Sequence, residues 1–126
     1  MYLKSLLVLA ALTLGMVASA STAQATEYGA IKIENPTNDD VHYQFKWGNG
    51  AWKSYTLHPG QAMLHYHPLD SQRCTPVPEV RFDYILNDGV VTYKTYRLDT
   101  YAAFDVEDGK PYAFSSDGIF LDLYAE

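Results

Sequence analysis

The segment Val41-His42-Tyr43-Gln44-Phe45-Lys46-Trp47 alternates between apolar and polar residues without a break. In an extended chain, Val41, Tyr43, Phe45 and Trp47 therefore share one face while His42, Gln44 and Lys46 share the other. That is the pattern of a half-buried strand. Strand-like runs recur at residues 30–34, 51–57, 61–67, 80–86, 90–98, 101–106, 112–115 and 119–124. Turn-forming segments separate them: Asn35 to Asp40, Gly48-Asn49-Gly50, His58-Pro59-Gly60, Asn87-Asp88-Gly89, Glu107-Asp108-Gly109 and Ser116-Asp117-Gly118. Most supply a glycine for positive φ and a polar side chain that bonds its own backbone. No sustained 3.6-residue apolar period competes with this pattern beyond the N-terminal segment. The expected fold is an all-β antiparallel β-sandwich of about eight or nine short strands, with mainly hairpin connections.

The first hairpin can be read to the level of register. A two-residue Asn49-Gly50 turn would set Phe45 and Tyr43 against Ser54 and Thr56 and place Lys46 opposite Lys53. A three-residue Gly48-Asn49-Gly50 loop instead pairs Tyr43 with Tyr55 and Val41 with Leu57, and leaves Trp52 beside Lys46 on the opposite face. The second register keeps the apolar set together, and a one-residue slip would turn that set to solvent. It is the one expected here.

Residues 6–17 form a nearly continuous apolar run, preceded by Lys4 and followed by Ala18-Ser19-Ala20 and Ala23-Gln24-Ala25. This is the layout of a secretory signal peptide over residues 1–25, cleaved after Ala20 or Ala25, ahead of a single β-sandwich domain at 26–126. A secreted or periplasmic location follows. No later apolar stretch reaches membrane-spanning length, so no transmembrane segment is expected in the mature chain. The formal charge of −6 becomes −7 once Lys4 is removed, and no basic cluster is present. Nucleic acid is not an expected partner.

The single cysteine, Cys74, has no intrachain disulfide partner. It is expected as a small buried hydrophobe, with an intermolecular bridge or a metal ligand as the other readings. The metal reading centres on Met63-Leu64-His65-Tyr66-His67, preceded by His58. Met63, His65 and His67 share one strand face, and imidazoles at i and i+2 can reach one ion. A thioether with two imidazoles would favour copper, whereas a carboxylate such as Asp70 would shift the preference to zinc. The order Met63, His65, His67, Cys74 differs from that of the blue-copper proteins, in which a His and then a Met follow the Cys. A surface copper or zinc site at His58, Met63, His65 and His67 is thus the alternative reading, set against solvated edge histidines.

Catalytic motifs are lacking: there is no Gly-x-Ser-x-Gly elbow, no His-Glu-x-x-His pair and no phosphate-cradling glycine loop. Asp83 and Asp122 could supply a carboxylate pair, but a sandwich of this size offers a shallow cleft. Asp83 is expected to face solvent or to pair with Arg81 or Arg97. The acidic turn at Asp105, Glu107 and Asp108 lacks the spacing of an EF-hand and reads as turn chemistry rather than a calcium site. What stands out is aromatic content: 11 Tyr, 5 Phe and 2 Trp, all but Tyr2 within residues 26–126. Tyrosine and tryptophan favour strands and fill the core edges, and exposed rings also stack on sugars or anchor protein contacts. The leading expectation is a non-catalytic exported binding module that contacts a glycan or an exported protein through Trp52, Tyr93 and Tyr96, with no cofactor. Tyr66 is a further outward candidate, excluded if His65 and His67 face out.

Overall fold

The structure is a computed structural model that describes residues 25–126; the expected signal peptide up to Gln24 lies outside the described residues. Among the described residues nine strands form in chain order: β1 Tyr28–Glu34, β2 Val41–Trp47, β3 Lys53–Leu57, β4 Ala62–Pro68, β5 Pro78–Asp83, β6 Tyr93–Arg97, β7 Tyr101–Ala103, β8 Lys110–Ser116 and β9 Leu121–Ala125. One 3₁₀ turn, Val106–Asp108, separates β7 from β8. A four-stranded sheet runs β3-β2-β5-β6, and a five-stranded sheet runs β9-β8-β1-β4 with β7 also on β1. This is the expected β-sandwich.

The inward faces follow from the alternation. Tyr43, Phe45, Val80 and Phe82 from one sheet meet Ile31, Ile33, Tyr112, Phe114, Leu121 and Leu123 from the other. Fully burying an aliphatic or phenyl side chain of this size removes apolar area worth roughly 1.5–3 kcal/mol, so this shared layer is the main source of cohesion. The first hairpin takes the expected register, with Val41 opposite Leu57, Tyr43 opposite Tyr55 and Phe45 opposite Lys53. Gly48 adopts φ +55 in the turn, where a side chain would be strained, and the Gly50 N–H donates to the Trp47 carbonyl at 3.0 Å.

Two features depart from a simple hairpin sandwich. Four of the connections cross between the sheets, namely β1–β2, β3–β4, β4–β5 and β6–β7. In addition, β1 has a divided neighbour. Antiparallel β7 covers Tyr28 to Ala30, and β8 then covers Ile31 to Glu34 in parallel. The parallel pair arises because the chain reverses through the 3₁₀ turn before rejoining the same strand. At the junction Gly109 is buried against β1, where a Cβ would lie 2.7 Å from Ala30 C and Ile31 N. Glycine fits there because the backbones need the space.

The expected strand at 80–86 stops at Asp83 because the chain bends toward the other sheet. The Leu86 N–H donates to Ile119, Leu121 N–H donates to Tyr84, and Ile85 bridges Phe120. These contacts stitch one side of the sandwich. Strand β6 is shorter than the expected 90–98, since Val90 and Val91 are exposed loop residues. The expected strand at 101–106 ends at Ala103, where the acidic turn begins.

Candidate functional site

The outer face of the β3-β2-β5-β6 sheet carries the most chemistry. Alternation sends His42, Gln44 and Lys46 outward from β2, Ser54 and Thr56 from β3, Arg81 and Asp83 from β5, and Tyr93 from β6. In register, Gln44 lies between Ser54 and Arg81, and Asp83 lies opposite Tyr93. A groove of about 440 Å³ crosses this face, with His42, Gln44, Ser54, Thr56 and Arg81 along it and Tyr93 and Val91 at one border.

Arg81 organises the face. Its Cζ lies 4.4 Å from the Trp52 ring centroid and 4.3 Å from that of Tyr93. Lys46 Nζ also lies 4.8 Å from the Trp52 centroid, so the first-hairpin register places Trp52 beside Lys46 as expected. Arg81 Nε donates to Gln44 Oε1 at 2.7 Å, and Gln44 Nε2 donates to Ser54 Oγ at 3.1 Å. The guanidinium is thus held in place by two rings and an amide, an arrangement worth roughly 0.5–2 kcal/mol per cation–ring pair. Arg73 pairs with Glu27 and Arg97 with Glu79, whereas Arg81 has no carboxylate within 4 Å among the described residues. Asp83 does not pair with an arginine; its Oδ1 accepts the Thr92 N–H at 3.0 Å.

Of the three expected aromatic contacts, Trp52 and Tyr93 are brought together through Arg81, and Tyr96 is not. Tyr96 lies three positions beyond Tyr93 on the same strand and so faces the other way. It packs near Phe82, and its hydroxyl donates to Asp122 Oδ1 at 2.6 Å. Lys94 Nζ reaches the same carboxylate at 3.1 Å. Burial pushes the Asp122 carboxyl up, but hydrogen bonds from Tyr96, the Leu123 N–H and Lys94 outweigh it and hold the group below its usual range. Asp122 thereby ties β9 to β6, while Asp83 is engaged at Thr92. Tyr66 is exposed on β4, edge-on to Tyr28 at 5.3 Å.

The histidine cluster is arranged differently from a surface site. Met63, His65 and His67 do share one face of β4, but that face is turned into the sandwich. His65 is only 5% exposed; it stacks on Phe45 at 3.9 Å and shares a 2.8 Å hydrogen bond with the Tyr43 hydroxyl. Burial lowers its pKa to about 4 and pushes the Tyr43 phenol well up, so both partners are neutral near pH 7. His67 tilts against Trp47, with Nδ1 2.9 Å from the Pro68 carbonyl oxygen. Met63 packs against the core. His58 is exposed in the β3–β4 turn, 2.8 Å from Asp40. Among the described residues, no three of His, Cys, Asp and Glu group closely enough to hold a metal ion. A cleft of about 420 Å³ opens between β3 and β4, with Phe45, Trp47, Tyr55, His65 and Lys53 on its walls.

Cys74 is exposed, not buried, because it sits in the irregular β4–β5 connection, which leaves the core after Pro68. Its N–H donates to Asp70 Oδ1 at 2.9 Å, and its thiol lies 3.5 Å from the Gln72 carbonyl oxygen. The carboxylate of Asp105 caps the 3₁₀ turn by accepting the Glu107 N–H at 2.9 Å, as turn chemistry requires. No helix among the described residues is long and apolar enough to cross a membrane.

Sequence reasoning missed Arg81 as the centre of this face. Local alternation marks Arg81 as sharing a face with Asp83, but which strand lies beside β2 is a long-range pairing that alternation does not carry. Compared with known protein families, with curated proteins and with solved structures, the chain matches none of them.

Proposed function

We propose that the protein is an exported, non-catalytic binding module whose outer four-stranded face contacts a glycan. The observation that carries this reading is the groove of about 440 Å³ that sets the polar side chains His42, Gln44, Ser54 and Thr56 beside the Tyr93 ring. Saccharides present hydroxyls at their edges and C–H groups on their faces. A groove with hydrogen-bonding groups along it and an aromatic border matches both. Arg81 lines the groove, and Trp52 lies next to it against the guanidinium. The interior rings, including Tyr96, supply scaffold and take no part in binding. The hydroxyl, amide and imidazole groups along the groove match the hydroxyl edge of a saccharide.

The test is fluorescence of Trp52 in a Trp47→Phe background, titrated with a panel of neutral and acidic oligosaccharides and checked by calorimetry. A saturable change that is lost in Tyr93→Ala supports the reading. An unresponsive Trp52 together with no calorimetric binding across the panel rejects it.

A further inference from the structure

Within the proposed glycan-binding reading, on which this inference rests, we infer that Arg81 recognises a carboxylate, so that the ligand is a glycan bearing uronic-acid-type groups. Arg81 stands apart from the other cations on this surface. Lys46 and Arg97 share Glu79, each at 3.6 Å, so both have a carboxylate partner. Arg81 lacks such a partner among the described residues, although its sheet neighbours include the carboxylates Glu79 and Asp83. Asp83 is held by the Thr92 N–H and Glu79 by Lys46 and Arg97.

The guanidinium is also preorganised. Trp52 and Tyr93 lie against it at 4.4 and 4.3 Å, and Gln44 fixes its Nε. Nε is therefore committed inside the protein, while Arg81 itself lines the groove. A planar fork fixed in this way suits a two-oxygen anion and loses little side-chain freedom on binding. The two rings are partly occupied by the guanidinium, so charge recognition adds to the stacking that bare rings would offer. The strongly acidic chain, at a formal −6 overall, would repel a densely charged polymer at long range. Widely spaced carboxylates on an otherwise neutral saccharide fit the single unpaired arginine better than a highly sulfated chain does.

The experiment is calorimetric titration of the purified protein with uronic-acid oligosaccharides of gluco, galacto and manno configuration. Each is compared with its methyl ester, which keeps the ring and removes the charge, and with the corresponding neutral oligosaccharide. At least one acid should bind, its ester should bind at least tenfold more weakly, and added salt should weaken the acid alone. Arg81→Lys and Arg81→Gln should each lose at least tenfold for the acid and shrink the difference in affinity between the acid and its ester. Gln44→Leu, which keeps the charge but frees Nε, should lose several-fold for the acid. Thermal melting of each variant separates these losses from unfolding.

Equal binding of acid, ester and neutral sugar, or acid binding that survives Arg81→Gln in a folded variant, overturns the carboxylate inference and leaves the glycan reading standing. Binding to none of these saccharides overturns both. An Arg81-dependent response to an acidic peptide, with none to any saccharide, also overturns both and assigns the face to a protein partner.

Discussion

The hydroxyl of Tyr43 and Nε2 of His65 meet at 2.8 Å between the two sheets. Tyr43 belongs to the four-stranded sheet and His65 to the five-stranded one, so this bond spans the core. Its setting is apolar, with Phe45 stacked on the imidazole and Tyr55 edge-on to it at 4.8 Å.

The first prediction follows from that bond. Burial holds His65 at about 4 in the folded protein, below its ordinary value of 6.5. The unfolded chain therefore takes up a proton that the folded chain refuses as pH falls from 6.5 toward 4. Stability is full above this window and declines through it, by about 2 kcal/mol between pH 7 and pH 4.5. Urea denaturation at the two pH values should show this loss. The double variant Tyr43→Phe/His65→Leu, which removes both polar groups, should flatten the slope; a slope unchanged in that variant assigns it to other groups.

Asn35 should be among the costliest polar residues to remove. It is fully buried; its Nδ2 donates to the Asp39 and Leu57 carbonyls, and its Oδ1 accepts from the Thr37 N–H and hydroxyl. Asn35→Ala leaves the Leu57 carbonyl without this donor at the β3 end, at a cost of about 2–4 kcal/mol. Denaturant midpoints measure it, and a loss below about 1 kcal/mol would show that water replaces the amide.

Gly109→Ala should destabilise for reasons of space alone. The residue has φ −66 and ψ 163, which any amino acid adopts, yet its added methyl would lie 2.7 Å from β1 backbone atoms. A loss of about 1–3 kcal/mol is expected. Gly60→Ala is the complementary control, because there nothing lies within 4 Å and the positive φ of +82 is the sole source of strain.

Cys74 should react with a thiol reagent in the native state. Its side chain is exposed, so modification should reach one equivalent per chain without denaturant and leave the melting temperature unchanged. Modification that required urea would mean that the thiol is shielded in solution.

How much of this was readable from residues depends on the range of the interaction involved. The Tyr43–Tyr55 register was legible because a three-residue loop and a continuous apolar face both demanded it. Trp52 beside Lys46 followed directly. His65 was not, since its burial depends on Tyr43 and Phe45 supplying a partner and a stacking surface from another strand. Tyr93 and Tyr96 looked equivalent until the strand was placed, after which their odd spacing put them on opposite faces. Cys74 was misjudged because a general preference for burial says nothing about a connection that leaves the core. The groove-facing group, Arg81, became visible only when β5 was set beside β2.

The divided neighbour of β1 has a consequence for the order in which the protein can be completed. Residue 31 must wait for residue 110 before its second edge is paired. A chain made from its N-terminus first therefore carries an apolar strand with an open hydrogen-bonding edge through most of its synthesis. Such long-range parallel pairing is slow to form and leaves the edge available to other chains in the meantime. Truncations that stop before β8 should accordingly be far more prone to aggregation than to partial folding, whatever their share of the core residues.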